Sequence, residues 1–456
     1  MTPFANAGPV CQGCPAQSWG LRRIEPDGSG SSGILMVGES PWNDEVREGK
    51  NFAGAAGAML ERCLRRLGME RQQLVVANAV WCKSRYLGFF DRPQPLADQV
   101  MSHCRPHLDS LIESREPRVI VTLGAVAMNR VLGVTGLAEH HGYVHDSVYG
   151  VPVVPTYHPS YIMQGQQRFQ AVLMFALRRA QEVASGNWRR SPVSYVLDDY
   201  EALGDYLVVS WTGSEWTREH PVLAVDIETP KSSKLDEEKR DEEDDSYTII
   251  RASMSHTPGT AVTFPWVEPF IGLAKRTAQL AKVVVMHNSS YDRPRLEAQG
   301  WKFGEVHDSM WAWHFLQSDL PKALGFVAPF YYDGPAWKHL SDAQPAWYSA
   351  VDADATLRVY RGVKADLEKQ GRWQRWLRHY VEAGNQFRRM GARGVLLDRE
   401  RQAAFRAKLE AEYEASYKKL QGEVPRQVMP RKVYKTGKQG GVEVQVPCDC
   451  QTKGKL

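Results

Sequence analysis

Two carboxylates, Asp226 and Glu228, end an apolar run and lie two positions apart in the sequence Val-Leu-Ala-Val-Asp-Ile-Glu of residues 222–228. Alternate residues of a β-strand point to the same side, so a strand here places both acids on one face. Two like charges beside apolar residues are costly to remove from water unless a cation lies between them. Because carboxylate oxygens are the ligands that hard divalent cations prefer, the spacing predicts a divalent metal site, with a solvated strand end as the alternative.

Two further acids, Asp292 and Asp352, each follow a polar side chain by four residues. Asn288 and Asp292 are four residues apart where an apolar run passes into a predicted helix, and Tyr348 and Asp352 have the same spacing in another predicted helix. Residues at i and i+4 share a face of a helix, so each pair points one way. The order Asp-x-Glu, Asn-x-x-x-Asp, Tyr-x-x-x-Asp resembles the tyrosine subtype of the DEDD 3′–5′ exonucleases, found as proofreading domains of family A DNA polymerases.

The exonuclease resemblance covers residues 195–370 and implies a ribonuclease H-like domain. In that family two Mg²⁺ or Mn²⁺ ions are held by acids at four positions, which here are Asp226, Glu228, Asp292 and Asp352. Tyr348 would orient the water that attacks the terminal phosphodiester, and Asn288 would contact the substrate. The implied substrate is DNA with a single-stranded 3′ end.

Four of the seven cysteines predict a second centre, close to the N-terminus. Cys11 and Cys14 lie in one Gly/Pro-rich loop, and Cys82 and Cys104 flank another. Loops from two distant segments can direct four sulfurs to one centre, which a single rigid helix or strand seldom does. Cys63 falls inside a helical apolar pattern and is predicted to be a core residue. A disulfide framework is not expected in a chain without a signal peptide, so the alternatives are a metal site and plain burial.

Strands and helices alternate through the N-terminal part of the chain. Short apolar runs at 34–37, 74–77, 119–123 and 151–155 are separated by helical patterns and loops. This alternation predicts an α/β fold with a doubly wound, mostly parallel sheet. In such folds the functional site lies beyond the carboxyl ends of the strands.

Polar or strained residues stand at those strand ends. They form the segments Gly38-Glu-Ser-Pro-Trp42, Asn51-Phe-Ala-Gly54, Asn78 ahead of Cys82, and His158-Pro-Ser160. The set resembles the iron–sulfur uracil-DNA glycosylases of family 4, which have a Gly-Glu-x-Pro-Gly loop, a Pro-Phe-Val-Gly-like segment, an Asn before the third cysteine and a His-Pro-Ser or His-Pro-Ala loop. The resemblance extends to about residue 185 and implies a [4Fe–4S] cluster held by Cys11, Cys14, Cys82 and Cys104.

The glycosylase resemblance also implies roles at the strand ends. Phe52 would stack on a flipped base, Asn78 would recognise its Watson–Crick edge, and His158 would stabilise the charge that develops on the departing uracil. Glu39 and Glu45 would position or activate water.

Two more positions of the same domain bear on its activity. Tyr161, after the His-Pro-Ser loop, is a candidate to wedge into the gap left by the base. Trp42 stands where the family has a glycine, which would allow close approach of the backbone and any φ. The sequence therefore leaves two alternatives, a working glycosylase and a pocket kept only for structure or DNA contact.

The C-terminal part, 371–456, resembles the entry to the polymerase region of family A enzymes at the start of the thumb. No polymerase palm motif follows, so we expect a partner polymerase subunit or a downstream polymerase domain, as in certain large bacteriophage DNA polymerases. The predicted domains are a glycosylase-like domain at 1–190, an exonuclease domain at 191–370 and a helical, basic tail at 371–456.

Composition fits a soluble globular protein, with 43% hydrophobic and 24% charged residues and a net charge of only +4. No apolar run is long enough for a membrane span, and no signal peptide is visible, so the predicted location is the cytoplasm, that of the host if the gene is from a phage. The acidic run at 236–245 is predicted to be a solvated loop. Three functions stay open: an exonuclease fused to a glycosylase-like domain, a non-catalytic DNA-binding accessory module of a polymerase, and an active uracil-excising repair protein.

Overall fold

The computed structural model describes residues 11–19, 23–86, 89–90, 95–207, 210–211, 216–217, 222–230, 248–423, 433–435 and 441–444. The acidic run at 236–245 lies outside the described residues. The chain divides into two units, Met1–Asn385 and Gln386–Leu456.

Four parallel strands form the first sheet, in the order β2-β1-β3-β4. They are β1 (Ile34–Gly38), β2 (Val75–Asn78), β3 (Val119–Leu123) and β4 (Val153–Thr156). Every residue of these strands is buried, as expected for a parallel sheet covered on both faces. The predicted α/β fold with a parallel sheet is confirmed.

Helices cover the two faces of this sheet. They are α1 (Asn43–Glu48), α2 (Ala55–Arg66), α3 (Pro95–Arg115), α4 (Ala125–Leu132), α5 (Leu137–His140), α6 (Pro159–Met163) and α7 (Gln170–Ala184). Met36 of β1 packs in a core with residues of α2 and α7, and its neighbour Val37 packs in a second core with residues of α3 and α4. Successive side chains of β1 therefore pack into different hydrophobic cores, one on each face of the sheet.

Six strands form the second sheet, in the order β12-β11-β8-β9-β10-β5. They are β5 (Ser194–Leu197), β8 (Val222–Glu228), β9 (Arg251–Ser255), β10 (Thr260–Pro265), β11 (Val283–Met286) and β12 (Glu305–Asp308). Strand β8 is central, antiparallel to β9 and parallel to β11. A short hairpin of β6 (Ser210–Trp211) and β7 (Trp216–Thr217) precedes it.

The helices of this second part differ in length and burial. They are α8 (Tyr200–Leu207), α9 (Phe270–Leu280), α10 (Ser289–Ala298), α11 (Ser309–Leu316), α12 (Leu324–Val327), α13 (Pro345–Lys369) and α14 (Trp373–Trp376). Helix α13 packs across β8, β9 and β10. None of the described helices is long and apolar enough to cross a membrane.

The two sheets share a hydrophobic core within Met1–Asn385. Leu173 of α7 and Phe326 of α12 belong to the same buried cluster, and the buried Arg179 of α7 donates to Asp333. Tyr143 Oη, next to β4, donates to the carbonyl of Gly325 at 3.0 Å. The boundaries at 190/191 and 370/371 stay predictions.

The second unit contains most of α15 (Ala383–Arg393), then α16 (Arg399–Glu423), β13 (Val433–Lys435) and β14 (Gly441–Val444). Strands β13 and β14 pair antiparallel. The helical, basic tail at 371–456 stays a prediction.

Asp354 joins α13 to the edge of the second sheet. Its buried carboxylate accepts hydrogen bonds from Tyr195 Oη at 2.9 Å, from the amide of Gly259 at 2.8 Å and from Arg358 Nε at 3.0 Å. These three donors lose their partner together if the carboxylate is removed. Asp354 is thus a structural acid, although it lies two residues from Asp352.

Asp354→Ala should lower the free energy of unfolding by about 3–5 kcal/mol, because it leaves the largely buried Arg358 guanidinium without its partner. Urea denaturation measures this change. Glu368→Ala is the matched control on the same helix; its pair with Lys364 is exposed and 3.8 Å long, so it should cost less than about 1 kcal/mol. Equal destabilisation by the two substitutions would contradict the role of Asp354.

Candidate functional site

The first site, here called the carboxylate site, consists of Asp226, Glu228, Asp292 and Asp352. Val225 and Ile227 of β8 face the core on one side of the second sheet, so Asp226 and Glu228 point to the other side, where α13 lies. Helix α13 brings Asp352 to the same place. Oxygen atoms of Asp226, Glu228 and Asp352 lie within 4.8 Å of one another, close enough to hold a metal ion.

The fourth acid, Asp292, lies beside this group. It is buried in the first turn of α10, and its charge acts on Asp226, while Glu228 and Asp352 act on it. Asn288, predicted to share its face, lies at the N-cap of α10 with φ 72° and accepts a hydrogen bond from Ser290 Oγ at 2.6 Å. The structure thus directs the Asn288 amide to the start of its own helix.

Desolvation dominates the electrostatics of the carboxylate site. Burial, followed by the charges of Asp352 and Asp292, raises the pKa of Asp226 well above its ordinary range. Burial also raises the pKa of Asp292, with Asp308 and Glu228 adding to the shift. Among the described residues, no hydrogen-bond donor reaches the carboxylate of Asp226 or Asp292. Cations are therefore the partners that would let these acids ionise.

One cation is supplied by the chain itself. Lys338 Nζ donates to both oxygens of Asp352 at 2.7 and 2.8 Å and to Tyr348 Oη at 3.0 Å. Burial disfavours the charged ammonium, but Asp352 and Tyr348 outweigh it and raise the pKa of Lys338 above its ordinary range. Trp337 Nε1 also donates to Asp352 at 2.6 Å. The Lys338 ammonium thus contacts both Asp352 and Tyr348, the predicted catalytic tyrosine.

Tyr348 keeps its proton in this setting. Burial, with the adjacent charge of Asp352, raises the pKa of Tyr348 above its ordinary range. Since Lys338 donates to the phenol oxygen, the O–H of Tyr348 is left to donate elsewhere. This geometry suits a hydroxyl that orients a water molecule or a phosphate oxygen.

Sequence reasoning assigned no role to Lys338 or to Asp308. The Asp308 carboxylate accepts from the amide of Ser289 at 2.7 Å and from the amide of Met310 at 2.9 Å, so it caps α10 and α11 together. It thereby fixes the helix that carries Asp292. An Asp before Ser-Met-Trp is a recognisable helix N-cap signal, whereas nothing in the spacing of Lys338 identifies its target.

The second site, here called the thiol cavity, is lined by Cys11, Cys14, Cys82 and Cys104. The structure brings all four predicted ligands together as free thiols. Burial and the neighbouring cysteines raise the pKa of Cys82 to about 12, and burial raises that of Cys104 to about 11. Burial also raises the pKa of Cys14, so Cys14, Cys82 and Cys104 resist ionisation unless a positive centre is bound among them. Cys63 is also a free thiol and is buried in the core, as predicted.

The spacing of the thiols bears on which centre they fit. A zinc ion bound at about 2.3 Å by four thiolates would hold the sulfurs about 3.8 Å apart. The groups of described residues whose ligand atoms lie within 4.8 Å of one another include the carboxylates but not these thiols. Without a bound centre, the thiols of the described residues therefore do not have the spacing of a single-ion site. Two nitrogen groups lie against the rim of the cavity: the amide of Trp81 donates to Cys104 Sγ at 3.3 Å, and His107 Nε2 lies 3.2 Å from Cys11 Sγ.

The third site, here called the base pocket, is formed by Phe52, Asn78 and His158. The rings of Phe52 and His158 are stacked with centroids 5.5 Å apart. A Cβ at Gly38, the last residue of β1, would collide with Asn78 Oδ1 and with the Phe52 ring, so only glycine lets these two groups approach. The structure brings together the three residues that the sequence placed at separate strand ends.

The hydrogen bonds of His158 define its tautomer. The amide of Ser160 donates to His158 Nδ1 at 3.1 Å, so Nδ1 is an acceptor and the proton lies on Nε2. Burial lowers the pKa of His158 to about 4. The imidazole is therefore neutral at physiological pH and presents one N–H donor.

Three other residues predicted to act in this domain, Glu45, Glu39 and Tyr161, are not among the three that form the base pocket. Glu45 Oε2 accepts a hydrogen bond from the amide of Trp42 at 3.0 Å, so this carboxylate caps the N-terminus of α1. Glu39 is half-buried directly after β1. Tyr161 is 41% exposed and its ring stacks on Tyr157, so it is available at the surface as a wedge would need to be.

Trp42 does not require glycine geometry. Its φ is −121°, an extended conformation open to any residue, and its ring lies under Lys83 Nζ at 4.8 Å. The need for a positive φ, one of the two reasons for expecting glycine here, does not apply to this chain.

Comparisons with known proteins agree with the N-terminal part of this description. Residues 25–179 match the family model of the uracil DNA glycosylase superfamily. The type-4 uracil-DNA glycosylase of Saccharolobus solfataricus is 31% identical over 160 residues, which cover 33% of this chain and 71% of that protein. The type-4 enzyme of Pyrobaculum aerophilum is 30% identical, covering 34% and 80%, and that of Thermotoga maritima is 29% identical, covering 34% and 79%.

A solved structure of Brucella melitensis NrnC aligns with 46% of this chain and 98% of its own length, at 17% identity and a TM-score of 0.31. A superposition at this level establishes neither fold nor activity. The sequence relatives, by contrast, exceed the similarity that unrelated domains show. Through its N-terminal region, which is a domain like those of the type-4 enzymes, the chain belongs to the uracil DNA glycosylase superfamily.

Proposed function

We propose that the chain excises uracil from DNA in its base pocket. The observation that carries the proposal is the neutral, buried His158, whose ring stacks with that of Phe52. The relatives of this domain are named uracil-DNA glycosylases, which supports the same activity.

Each residue of the pocket has a role in this reaction. A uracil turned out of the strand stacks on Phe52, and Asn78 hydrogen-bonds to its Watson–Crick edge. As the bond between the sugar and N1 of uracil breaks, negative charge develops on the base, and the Nε2–H of His158 donates to it. Water then adds to C1′ of the sugar, with Glu39 as the proposed positioning group, and the proton that this water releases neutralises the uracil anion. Glu45, which accepts from the Trp42 amide at the start of α1, has a structural task besides any role with water.

His158→Ala should slow uracil excision by about 10²- to 10³-fold, because it removes one donor to the developing charge. Counting abasic sites in a uracil-containing strand, in EDTA to silence any nuclease, measures the rate. Because the pKa of His158 is lowered to about 4, the wild-type rate should not change between pH 8 and pH 5 through this group. A fall with a midpoint near pH 6.5, lost in His158→Ala, would contradict a neutral donor.

Trp42→Gly separates the two alternatives left by the sequence. If the Trp42 ring closes the pocket, the wild type is inert and the glycine variant gains activity. Inertness of both proteins would leave the domain as a DNA-binding or structural module.

We further propose that the thiol cavity holds a [4Fe–4S] cluster. Four free thiols lining one cavity support this assignment, as does the resemblance to iron–sulfur glycosylases. Cys11, Cys14, Cys82 and Cys104 would be the ligands. When bound, the cluster would tie the segment of Cys11 and Cys14 to the segment after β2 and to helix α3, which carries Cys104; no step of base excision passes through it.

Protein purified without oxygen should be brown with broad absorption in the visible range, and Cys82→Ser or Cys104→Ser should lose this colour, since each removes one thiolate ligand. Cys63→Ser is the matched control, because Cys63 is buried away from the cavity and should keep the colour. A colourless wild type with stoichiometric zinc would contradict the cluster.

We propose a second activity, metal-dependent 3′–5′ exonuclease, for the carboxylate site. The specific observation is that Asp226, Glu228 and Asp352 converge within 4.8 Å. The strand order β10-β9-β8-β11-β12, with β9 antiparallel to its neighbours, resembles a ribonuclease H-like sheet. A role as accessory module of a polymerase, with a polymerase subunit or downstream domain as partner, is the rival proposal.

Asp226, Glu228, Asp292 and Asp352 would hold the two Mg²⁺ or Mn²⁺ ions of the proposed nuclease, and the bound ions would neutralise charge on the phosphate. The neutral hydroxyl of Tyr348 orients the attacking water. Lys338 fixes the Tyr348 oxygen and the Asp352 carboxylate relative to one another.

Asp226→Ala and Asp352→Ala should each abolish Mg²⁺-dependent release of nucleotides from a single-stranded 3′ end, because shared ligands are lost. Tyr348→Phe should reduce the rate less, since it removes a hydroxyl but no metal ligand. End-labelled single-stranded DNA measures the rates, and Glu368→Ala is the control on the same helix. Undiminished digestion by either Asp variant would rule out this site as the source of the activity.

A further inference from the structure

Asn51 is a buried polar residue whose role neither the sequence motifs nor the proposed reaction explains. It directly precedes Phe52, at a position where the resembled glycosylase segment has a proline, and only 1% of its surface is exposed. A buried amide needs partners for both its donor and its acceptor ends. The partners of Asn51 show what it does.

The donor end of Asn51 is determined by its surroundings. Its Nδ2 lies 2.7 Å from the carbonyl of Glu25, 3.2 Å from Asp27 Oδ2 and 3.2 Å from the carbonyl of Val76. All three partners accept hydrogen bonds, so the atom facing them is the NH₂ group. The Oδ1 atom of Asn51 must therefore point the other way.

That oxygen faces Asn78, the proposed base-recognition residue. Asn78 Nδ2 donates to Asn51 Oδ1 at 2.8 Å, and both residues are buried. If the Asn78 amide were turned by 180°, its oxygen would face the oxygen of Asn51, and two acceptors in a dry site repel. Asn51 thus allows one orientation of the Asn78 amide.

This orientation places the Asn78 carbonyl in the base pocket. Its Oδ1 lies over Gly38 together with the edge of the Phe52 ring, where a Cβ would collide with both. One N–H of Asn78 is used by Asn51, so the amide presents to a base one acceptor and one remaining donor.

We propose that Asn51 is a positioning residue that makes the pocket specific for uracil over cytosine. This inference rests on the proposed glycosylase activity. Uracil offers an N3–H donor and an O4 acceptor, which complement the Oδ1 and the remaining N–H of Asn78. Cytosine offers an N3 acceptor and an amino donor, so both contacts would be mismatched in the orientation that Asn51 imposes.

Two substitutions separate this role from a structural one. Asn51→Asp keeps an acceptor facing Asn78 but loses the NH₂ that binds Glu25, Asp27 and Val76. Asn51→Leu loses both. If Asn51 only holds the surrounding backbone, the two variants should be impaired alike for every base. If it orients Asn78, only the leucine variant should lose discrimination between bases.

The experiment measures single-turnover excision, in EDTA, from strands with one uracil or one cytosine at the same position. We expect Asn51→Leu to reduce the ratio of uracil to cytosine excision by about 10- to 100-fold, as for loss of one fixed hydrogen bond, and Asn51→Asp to keep it. An unchanged ratio in Asn51→Leu, or an equal loss in both variants, overturns the proposal.

A second readout does not depend on activity. In wild-type protein with ¹⁵N- and ¹³C-labelled asparagine, one Asn78 side-chain proton should show scalar coupling to the Asn51 carbonyl carbon, and this coupling should be absent in Asn51→Leu. If the wild type excises neither base, the proposed glycosylase function fails. The scalar coupling between Asn78 and Asn51 then tests the positioning role by itself. If the wild type lacks this coupling, the positioning role is overturned.

Discussion

Removal of water from polar side chains is the constraint on which the carboxylate site and the base pocket both depend. Asp226 of β8 and Asp292 of α10 lie close together, and burial makes their negative charges costly without cations. Asn51 and Asn78, at the other sheet, satisfy each other instead. Where the partner is a cation the site can bind metal and act on phosphate, and where the partner is an amide the site can recognise a base.

The position of each site follows from the strands that carry it. In the first sheet both faces are covered, so polar groups can emerge only at the carboxyl ends, where Phe52, Asn78 and His158 meet. In the second sheet α13 lies on one face, and every second residue of β8 reaches it. The shared core around Leu173 and Phe326 ties both sheets together, so a substitution that loosens this core should affect both sites.

Sequence periodicity was sufficient for the residues that lie on regular elements. The two-residue spacing of Asp226 and Glu228 and the helical spacing of Tyr348 and Asp352 placed these side chains correctly on shared faces. Periodicity could not predict the contact between Lys338 and Asp352, because that contact depends on how a loop folds back. Local rules govern neighbours along an element, whereas loop contacts depend on tertiary packing.

Two other outcomes show where local patterns are insufficient. Asn288 was predicted to share a helix face with Asp292, but it adopts a left-handed conformation at the N-cap, where helical spacing does not apply. The change to charge and proline near residue 190 marks a surface linker in the sequence, yet the aromatic and aliphatic residues on either side of it pack into one core. Composition along the chain reports exposure and carries no information about which distant segments meet.

The central claim is that one chain carries a base pocket and a carboxylate site with separate chemistries. The most direct test uses one internally labelled single strand with a single uracil, incubated with the wild-type protein in EDTA or in Mg²⁺ and then treated with mild alkali. We predict a single break at the uracil in EDTA, and shortening from the 3′ end in addition with Mg²⁺. A strand that stays intact under both conditions would contradict the account.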